Sequence, residues 1–512
     1  MAHMNRRKFL GATAAALGLA SCARVPYRRT AFELEELSFE GLAVGLRSRR
    51  WTSRQLLELY VNRIQDLDGG EWKLNAIIEH NPDAVKLADE LDNERRQRGP
   101  RSVLHGVPIV LKDNIDTGDR MMTTAGSLAL DGWHAPVDAP IAARLRAAGA
   151  LILGKTNLSE WANFRSTHSS SGWSGRGGQT RNPYALNRTP SGSSSGTGTA
   201  VAANLCAAGI GSETDGSVVS PASVNGLVGI KPTLGLLPGS GIIPIAHSQD
   251  TAGPMARSVR DAAILLGIMA GKEFAKDLQP EALNGARIGI ARKFFERTQK
   301  MDSFLNKQIE VLKRCGAVIV DPADLPSHGK SGTEEFEVLL YEYKTDLNAY
   351  LARQPQGRPV RSMRDLIDFN EKNRIREMPY FGQEILLQSV EKGPLTEKKY
   401  LDARAICLRL SRDEGIDAAL AKFKLDAIVT LTNGPAWCID WVNGDYDTGG
   451  CSTPPAVAGY PHVTVPAGLV DELPVGLSFF STAWRDQQLI NLAYAFEQET
   501  KARTQPQFRI FD

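Results

Sequence analysis

Two stretches of very small residues constrain this chain more than any other feature of its sequence. The first is a Gly/Ser run over residues 190–198, and the second covers residues 211–221. Small residues lose much backbone entropy on folding and bury little apolar surface, so a folded chain keeps them where backbone must approach another group closely. A flexible linker is the alternative. The segment between the runs, residues 200–208, is apolar and Ala-rich, which indicates a buried helix and argues against a linker.

Length and charge exclude several classes of protein. At 512 residues the chain could hold two or three average domains, but no break in composition divides it, and we expect one large domain over residues 26–512. The net charge is +2 without a long basic or acidic block, which argues against nucleic-acid binding. The eight histidines are scattered and no Cys-x-x-Cys pair occurs, so we expect no metal and no cofactor.

The first residues have the features of an export signal. Arg6 and Arg7 form a twin-arginine segment, and a short stretch of small apolar residues follows over residues 11–20. We therefore expect residues 1–22 to direct the protein to the periplasm by the twin-arginine route. This segment is too short to span a membrane, and no other apolar run is long enough.

The end of this signal leaves two alternatives open. Residues 19–22 resemble a lipobox, in which Cys22 would be acylated and anchor the protein to the membrane. The other alternative is simple cleavage after Ala20 or Ala23. Residues 1–3, ahead of Met4, resemble a cloning remnant.

Cys22 aside, five cysteines remain, an odd number without the spacing of a disulfide framework. Cys206 and Cys315 lie in apolar surroundings, and we expect both to be buried. Cys438 and Cys451 are the one pair worth testing for a disulfide, and the sequence leaves that pairing open.

Short apolar strands alternate with helical patterns along the chain. A helix capped by Ser38 and a second one beginning at residues 52–55 are predicted near the start. Further predicted strands lie at residues 107–111, 151–154, 287–291, 317–320 and 426–430, and predicted helices at 139–148 and around 304–312. Such strands indicate an α/β fold with helices on both faces of the sheet. A charged helical region with interspersed aromatic residues, 331–405, could pack over the core or shape a substrate groove.

The first run contains a Gly-x-Ser-x-Gly pattern at residues 192–196, which is the pattern of the α/β-hydrolase nucleophile elbow. An elbow needs a strand directly before it, whereas residues 187–191 read as a turn. It also needs a later acid and histidine. His247 and His462 are the candidates, but neither has a distinctive context, so an elbow is disfavoured.

Lys112 offers a different catalytic group. It follows an apolar strand in the segment 106–114, and open α/β sheets place their sites at strand ends. Together with the two small-residue runs, this segment resembles the amidase signature family. The resemblance is collinear over residues 104–258 and resumes over residues 425–496. It implies a single large α/β domain with a mixed sheet, and hydrolysis of amides by a Ser–cis-Ser–Lys triad.

The family's catalytic residues fall on matching positions of this chain. The resemblance implies that Lys112 is the base, that Ser193 is a bridging serine after a cis peptide bond from Gly192, and that Ser217 is the nucleophile. To act as a base, Lys112 must be neutral near pH 7, although an ordinary lysine has a pKa of about 10.4. Burial at the end of an apolar strand can lower a lysine pKa by that much.

Two further features of the family map onto the two runs. Ser194 would support the bridging serine, and an oxyanion hole would be formed by the backbone N–H groups of four residues, Thr214, Asp215, Gly216 and Ser217. The family usually has glycine at the position of Asp215 and arginine at the position of Val219. A carboxylate aimed at a developing oxyanion would oppose catalysis, so we expect the Asp215 side chain to point away.

Several strings resemble the bacterial peptide amidase branch of the family; they cover residues 175–184, 213–217, 221–229, 247–255, 433–437 and 458–461. This resemblance implies an enzyme that removes the C-terminal amide of small peptides, giving the free acid and ammonia, and we expect a monomer. Trp173 and Trp437 are candidate groove residues. The alternative is the same triad acting on aryl, aliphatic or fatty-acid amides or on esters. A glutaminase subunit of a tRNA-dependent amidotransferase is disfavoured by the export signal.

Overall fold

The computed structural model describes residues 32–70, 72–294, 298–446 and 449–510. The chain separates into a short unit, Met1–Glu35, and a large unit, Glu36–Asp512. In the short unit, residues 32–35 are described, and they enter a turn. The predicted export signal and Cys22 lie outside the described residues. No helix in the described ranges is long and apolar enough to cross a bilayer.

A large mixed β-sheet forms the centre of the large unit. The strands of the described ranges are β1 (Ile77–His80), β2 (Pro108–Lys112), β3 (Leu151–Thr156), β4 (Trp173–Ser174), β5 (Gly178–Gln179), β6 (Gly209–Glu213), β7 (Val228–Lys231), β8 (Thr251–Ala256), β9 (Arg287–Ile290), β10 (Val318–Val320), β11 (Ala427–Leu431), β12 (His462–Val470) and β13 (Leu473–Phe480). Eleven of them form one sheet in the order β1-β3-β2-β6-β8-β7-β12-β13-β11-β9-β10, and β4 pairs with β5. The pairs β2–β3, β2–β6, β9–β11 and β9–β10 are parallel, and the other pairs are antiparallel.

Helices flank this sheet, which confirms the predicted α/β class. Those of the described ranges are α1 (Phe39–Arg47), α2 (Ser53–Leu67), α3 (Ala84–Arg98), α4 (Pro140–Ala147), α5 (Ser195–Ala202), α6 (Val219–Val224), α7 (Val259–Ala270), α8 (Gln299–Arg314), α9 (Gly332–Leu351), α10 (Met363–Lys372), α11 (Arg374–Glu377), α12 (Glu384–Val390), α13 (Lys398–Ser411), α14 (Asp417–Phe423), α15 (Thr453–Ala458) and α16 (Asp486–Thr500).

Local side-chain chemistry determines where the first helices begin, as predicted. Ser38 Oγ accepts a hydrogen bond from the Gly41 N–H at 3.2 Å and caps α1. At the start of α2, Thr52 Oγ1 accepts from the Gln55 N–H at 3.1 Å, and Gln55 Oε1 accepts from the Thr52 N–H at 2.9 Å. This reciprocal pair satisfies two backbone donors that the helix leaves unpaired.

The predicted strands and the predicted helices at 139–148 and around 304–312 are present to within a few residues. β2, β3 and β11 are buried along their length. The strand predicted at 317–320 differs, because β10 lies at the edge of the sheet and Val318 is 44% exposed. An apolar run alone does not distinguish an edge strand from a central one.

The first small-residue run is part of the core. α5 begins inside the run at Ser195 and ends at Ala202, so the helix predicted over 200–208 lies earlier in the chain than expected. All eight residues of α5 are buried, which excludes a linker. A Cβ on Gly196 would lie 2.4 Å from the Ala76 carbonyl oxygen and 2.5 Å from that of Asn157. Glycine is therefore required for α5 to approach these backbone segments.

The charged helical region packs over the core. Tyr343 and Leu347 of α9 belong to a buried cluster that also contains Trp161 and Phe164. The ring of Phe164 meets that of Tyr343 edge to face, with centroids 5.2 Å apart. Helix α9 is thereby held against the segment between β3 and β4.

The cysteine predictions had mixed outcomes. Cys206 is buried as expected, but Cys315 is half-buried, because it caps the C-terminal end of α8 near the surface. Cys438 and Cys451 are both free, so this candidate pair does not form a disulfide. Cys438 is exposed and Cys451 is buried.

Candidate active site

Strand β2 carries Lys112 into the interior, where its amine meets both small-residue runs. Lys112 Nζ lies 2.8 Å from Ser193 Oγ, 3.0 Å from Ser212 Oγ and 3.2 Å from the Ser212 carbonyl oxygen. Asn114 Nδ2 donates to Ser212 Oγ at 2.8 Å. Lys112 is fully buried, and these oxygen atoms surround its amine.

Burial lowers the pKa of Lys112 from its ordinary value of 10.5 to about 7, although the nearby carboxyl groups of Asp250 and Glu213 act in the opposite direction. None of the ion pairs in the described ranges includes Lys112. A large fraction of this amine is therefore neutral near pH 7, which a base requires.

Ser193 follows a cis peptide bond from Gly192, as the family resemblance implies. Ser193 is fully buried, and its carbonyl oxygen accepts a hydrogen bond from the Ser159 N–H at 3.1 Å. A Cβ on Gly192 would lie 2.2 Å from Ser159 Oγ, so a larger residue there would displace that side chain. This close packing holds the Ser193 hydroxyl against Lys112.

Ser217 belongs to the second run, which lies directly beside the first. The Ser194 N–H donates to the Ser217 carbonyl oxygen at 3.2 Å. Ser194 Oγ donates to the Ser212 carbonyl oxygen at 3.1 Å and accepts from the Ser212 N–H at 3.2 Å. Ser217 itself is 7% exposed. Lys112, Ser193 and Ser194 thus belong to one hydrogen-bonded group, and Ser217 is joined to it through its backbone carbonyl; the four residues come from three separate segments.

The residues before Ser217 form a loop tied down by side chains from other elements. Thr214 Oγ1 donates to Asp250 Oδ1 at 2.5 Å, and Thr453 Oγ1 donates to Asp215 Oδ2 at 2.6 Å. In the described ranges, no hydrogen bond joins the Asp215 carboxyl group to a backbone N–H. Gly216 has a φ of +77°, a conformation that glycine adopts without strain.

Glu213 organises the start of α6, where the family usually has an arginine at the position of Val219. Its Oε2 accepts from the N–H groups of Val218 at 2.8 Å and of Val219 at 3.0 Å. Burial raises the pKa of Glu213, while the positive charge of Lys231 opposes the rise. The backbone of α6 is thereby held without the side chain of an arginine.

A polar cavity of about 380 Å³ opens between the two runs. Its described walls include Gly192, Gly216, Asn433 and two acidic residues, Asp215 and Asp445, but no lysine, arginine or histidine. Asp445 accepts hydrogen bonds from Ser171 Oγ at 2.5 Å and from Trp437 Nε1 at 2.9 Å. The cavity therefore has a negative wall next to the loop that carries Ser217.

The two histidines considered for an elbow triad lie elsewhere. His462 is fully buried, and its Nε2 is hydrogen-bonded to Ser478 Oγ at 2.6 Å. Burial lowers the pKa of His462 to about 3. His247 is half-exposed and pairs with Asp346 at 2.8 Å, which raises its pKa. Neither is hydrogen-bonded to Ser193, Ser194 or Ser217 in the described ranges, so no elbow triad is assembled.

The two tryptophans predicted to line a groove lie in different places. Trp437 lines the cavity, whereas Trp173 packs away from it, edge to face with Tyr380 and Phe381.

Among the described residues, one group has metal-ligating atoms within 4.8 Å of one another: His247, Glu342 and Asp346. Its shortest contact is the ion pair between His247 and Asp346, which accounts for the grouping without a metal.

Sequence reasoning missed several residues of the site. Ser212, which holds the Lys112 amine, lies inside the second small-residue run but had no predicted role, and Asp250 lies inside the string 247–255. Thr453, Asp445 and Glu335 had no local signal, because they reach the site from distant parts of the chain. Side-chain contacts over such separations depend on the tertiary fold.

Several known proteins with similar sequences and structures are named as amidases. The sequence model of the Amidase family matches residues 55–490. A probable amidase from Arabidopsis thaliana is 39% identical over 93% of this chain and 92% of its own length. A glutamyl-tRNA(Gln) amidotransferase subunit from Pseudomonas aeruginosa is 32% identical over 91% of this chain and 97% of its own length.

Among solved structures, the native peptide amidase from Stenotrophomonas maltophilia is 47% identical, with a TM-score of 0.89 over 93% of this chain and 100% of that chain. An amidase family protein from Bacillus anthracis is 34% identical, with a TM-score of 0.83 over 93% of both chains. The fold, the family match and these relatives agree with one another. The chain belongs to the amidase signature family and is an amide-hydrolysing enzyme.

Proposed function

We propose that this amidase removes the C-terminal amide of small peptides through a triad of Lys112, Ser193 and Ser217. The observation that carries the proposal is the buried 2.8 Å contact between Lys112 Nζ and Ser193 Oγ, beside the loop that bears Ser217. The 47% identity to the Stenotrophomonas peptide amidase supports the substrate class. Gly192 and Ser194, which flank Ser193 in the chain, hold it in place by their packing.

Proton movement in the proposed reaction begins at neutral Lys112, whose lone pair accepts the Ser193 proton. Ser193 Oγ in turn accepts the proton of Ser217, and Ser217 Oγ attacks the amide carbon. The backbone N–H groups of residues 214–217 stabilise the oxyanion. When the C–N bond breaks, the leaving nitrogen takes a proton back through Ser193 and departs as ammonia. Water then attacks the acyl-enzyme, and the same groups return the proton to Ser217.

The charge of the cavity favours an amide end group over a carboxylate. A neutral amide can lie against the cavity wall that contains Asp215 and Asp445 without electrostatic repulsion. The free-acid product carries a negative charge and is repelled by these two residues. Repulsion between this product and the two acidic residues promotes its release. The enzyme is therefore expected to discriminate a peptide amide from the corresponding acid.

Ammonia release tests this substrate class. We expect a blocked dipeptide amide to have a kcat/KM more than about tenfold above that of a simple aliphatic amide, because contacts to the peptide add transition-state binding. The free acid serves as the control for background ammonia, and S217A purified in parallel controls for contaminating amidases. Mass spectrometry of a longer peptide amide is expected to show intact internal bonds.

The alternative substrates use the same triad. Equal kcat/KM values for the aliphatic and peptide amides would contradict the peptide subclass and favour small aryl, aliphatic or fatty-acid amides or esters. Retention of activity by S217A would contradict the triad itself. The substrate class and the triad are thus tested by different measurements.

We also propose that the protein acts alone, rather than as one part of a larger assembly. Its identity is 47% to the peptide amidase and 32% to the amidotransferase subunit from Pseudomonas aeruginosa. Light scattering coupled to size-exclusion chromatography is expected to give the mass of one chain. A stable dimer or larger species would contradict this proposal.

The N-terminal residues support a proposal about location. We propose that residues 1–22 export the amidase domain to the periplasm by the twin-arginine route and that Cys22 anchors it to the membrane. Cell fractionation tests this: Cys22→Ala is expected to move the enzyme from the membrane fraction to the soluble periplasm. The double change Arg6→Lys and Arg7→Lys is expected to retain it in the cytoplasm. Cytoplasmic location of the unaltered protein would contradict the proposal.

A further inference from the structure

Asp215 stands where the family usually has glycine, and its carboxyl group has a distinctive environment. Thr453 Oγ1 donates to Asp215 Oδ2 at 2.6 Å, and the Ser452 hydroxyl also hydrogen-bonds to this carboxyl group. The same carboxyl group lies at hydrogen-bonding distance of the Glu335 carboxyl group. Two ionised carboxylates only accept hydrogen bonds, so this contact requires a proton between them.

Glu335 lies in the first turn of α9 and is 7% exposed. Gln249 Nε2 donates to Glu335 Oε1 at 2.9 Å and to the Thr214 carbonyl oxygen at 3.3 Å. Glu335 is therefore connected to two consecutive residues of the loop, Thr214 through Gln249 and Asp215 directly. A hydrogen-bonded group at this point can set the orientation of the loop.

The surroundings decide which carboxyl group carries the proton. Burial and the adjacent Asp215 raise the pKa of Glu335 well above its usual range. Burial also raises the pKa of Asp215, but hydrogen bonds from the hydroxyls of Ser452 and Thr453, together with the positive charge of Lys231, favour its ionised form. Asp215 is therefore the ionised partner and Glu335 the protonated one.

We propose that Glu335 is a positioning residue of the active site: its O–H donates to Asp215 and keeps that carboxylate on Thr453, away from the N–H groups that bind the oxyanion. A carboxylate that turned toward those N–H groups would compete with the oxyanion and repel it. The chain thus accommodates an aspartate where the family usually has glycine. This inference rests on the proposed role of the backbone of residues 214–217.

Other ionisable groups face this pair from each element packed against it. They are Lys231 of β7, Glu213 of β6, Cys407 of α13, Cys451 before α15, and Asp250, which binds Thr214. These groups are the same in every variant compared below. A change in the pH profile that depends on residue 335 therefore reports the shared proton.

The test compares Glu335→Gln with Glu335→Ala, using whichever amide the unaltered enzyme hydrolyses fastest. The unaltered enzyme is expected to lose kcat at alkaline pH, when the pair loses its proton. E335Q retains a neutral N–H donor at every pH, so its alkaline decline is expected to disappear. E335A lacks the donor, and its kcat is expected to fall about 10- to 100-fold, with little change in KM, approaching the cost of losing one oxyanion-hole donor.

A second comparison separates positioning from a structural role of α9. Asp215→Asn removes the competing negative charge, so D215N/E335A is expected to have a higher kcat than E335A. Thermal melting of each variant establishes that it is folded. An unchanged alkaline limb in E335Q, or a double variant no more active than E335A, would overturn the proposal. Failure of the triad instead appears as activity of S217A, which is measured independently.

Discussion

Replacement of Lys112 by methionine tests whether the buried amine is held at the expense of stability. Methionine has a similar length and no charge, so Lys112→Met fills the same space. The folded-state pKa of Lys112 is about 7, whereas its ordinary value is 10.5. Between these values the unfolded chain binds more protons than the folded one, so the enzyme gains stability as the pH rises.

The magnitude follows from the two pKa values. Linkage gives a destabilisation of about 4 kcal/mol at pH 7, which decreases to less than about 0.5 kcal/mol near pH 10.5. Methionine removes this pH-dependent contribution entirely. It also leaves Ser193 Oγ and Ser212 Oγ without the amine, at a cost of about 1–3 kcal/mol that does not vary with pH.

Chemical denaturation at several pH values measures the effect. The stability of K112M relative to the unaltered enzyme is expected to be greatest at pH 7 and below, where the penalty from Lys112 levels off. It should decrease by about 1.4 kcal/mol per pH unit between about pH 8 and pH 9.5, because one proton is involved. Asp250, with a pKa raised to about 7, titrates mainly below this window. K112M is also expected to be inactive.

A pH-independent difference in stability between K112M and the unaltered enzyme would refute the reasoning, because it would mean that Lys112 is charged in the folded protein. The acid limb of the activity profile provides a second check. Since the neutral amine is the proposed base, kcat/KM of the unaltered enzyme is expected to rise with pH through a pKa of about 7.

Three further predictions concern the site and its support. Ser217→Ala is expected to abolish turnover and Ser193→Ala to leave slight activity, with melting temperatures close to that of the unaltered enzyme; near-normal turnover by S217A would contradict the assignment. Asp445→Asn is expected to strengthen inhibition by the free-acid product, measured as a lower inhibition constant, because one negative wall charge is lost. Gly196→Ala is expected to destabilise the fold by about 3 kcal/mol or more, since its Cβ would meet two backbone oxygens. Gly332→Ala is the control, because nothing lies within 4 Å of its added Cβ, and an equal loss in melting temperature would contradict the packing explanation.

Local signals account for the parts of the fold that the sequence predicted well. Ser38 and Thr52 cap helices through contacts within three residues, and the strand before Lys112 is recognisable from its apolar run. Such features depend on neighbouring residues alone. The start of α5 at Ser195 and the exposure of β10 were not predicted, since both depend on which distant segments pack alongside.

The residues of the candidate site also fall into two groups, those marked by a local motif and those brought in by the tertiary fold. The resemblance to a family placed Lys112, Ser193 and Ser217, because their motifs are short and collinear with the family pattern. It could not place Glu335 or Thr453, which contact Asp215 from segments more than one hundred residues further along the chain. No local pattern marks a glutamate in a charged helix as the partner of a loop aspartate.

The sequence by itself determined the α/β class, the positions of the small-residue runs and the identity of the three residues proposed for catalysis. The tertiary structure decided how those residues are tuned. Only burial at the end of β2 lowers the pKa of Lys112 to about 7, and only the packing of α9 and α15 surrounds Asp215 with Glu335 and Thr453. The physical reason is that desolvation and hydrogen bonding depend on groups that are near in space, whatever their separation along the chain.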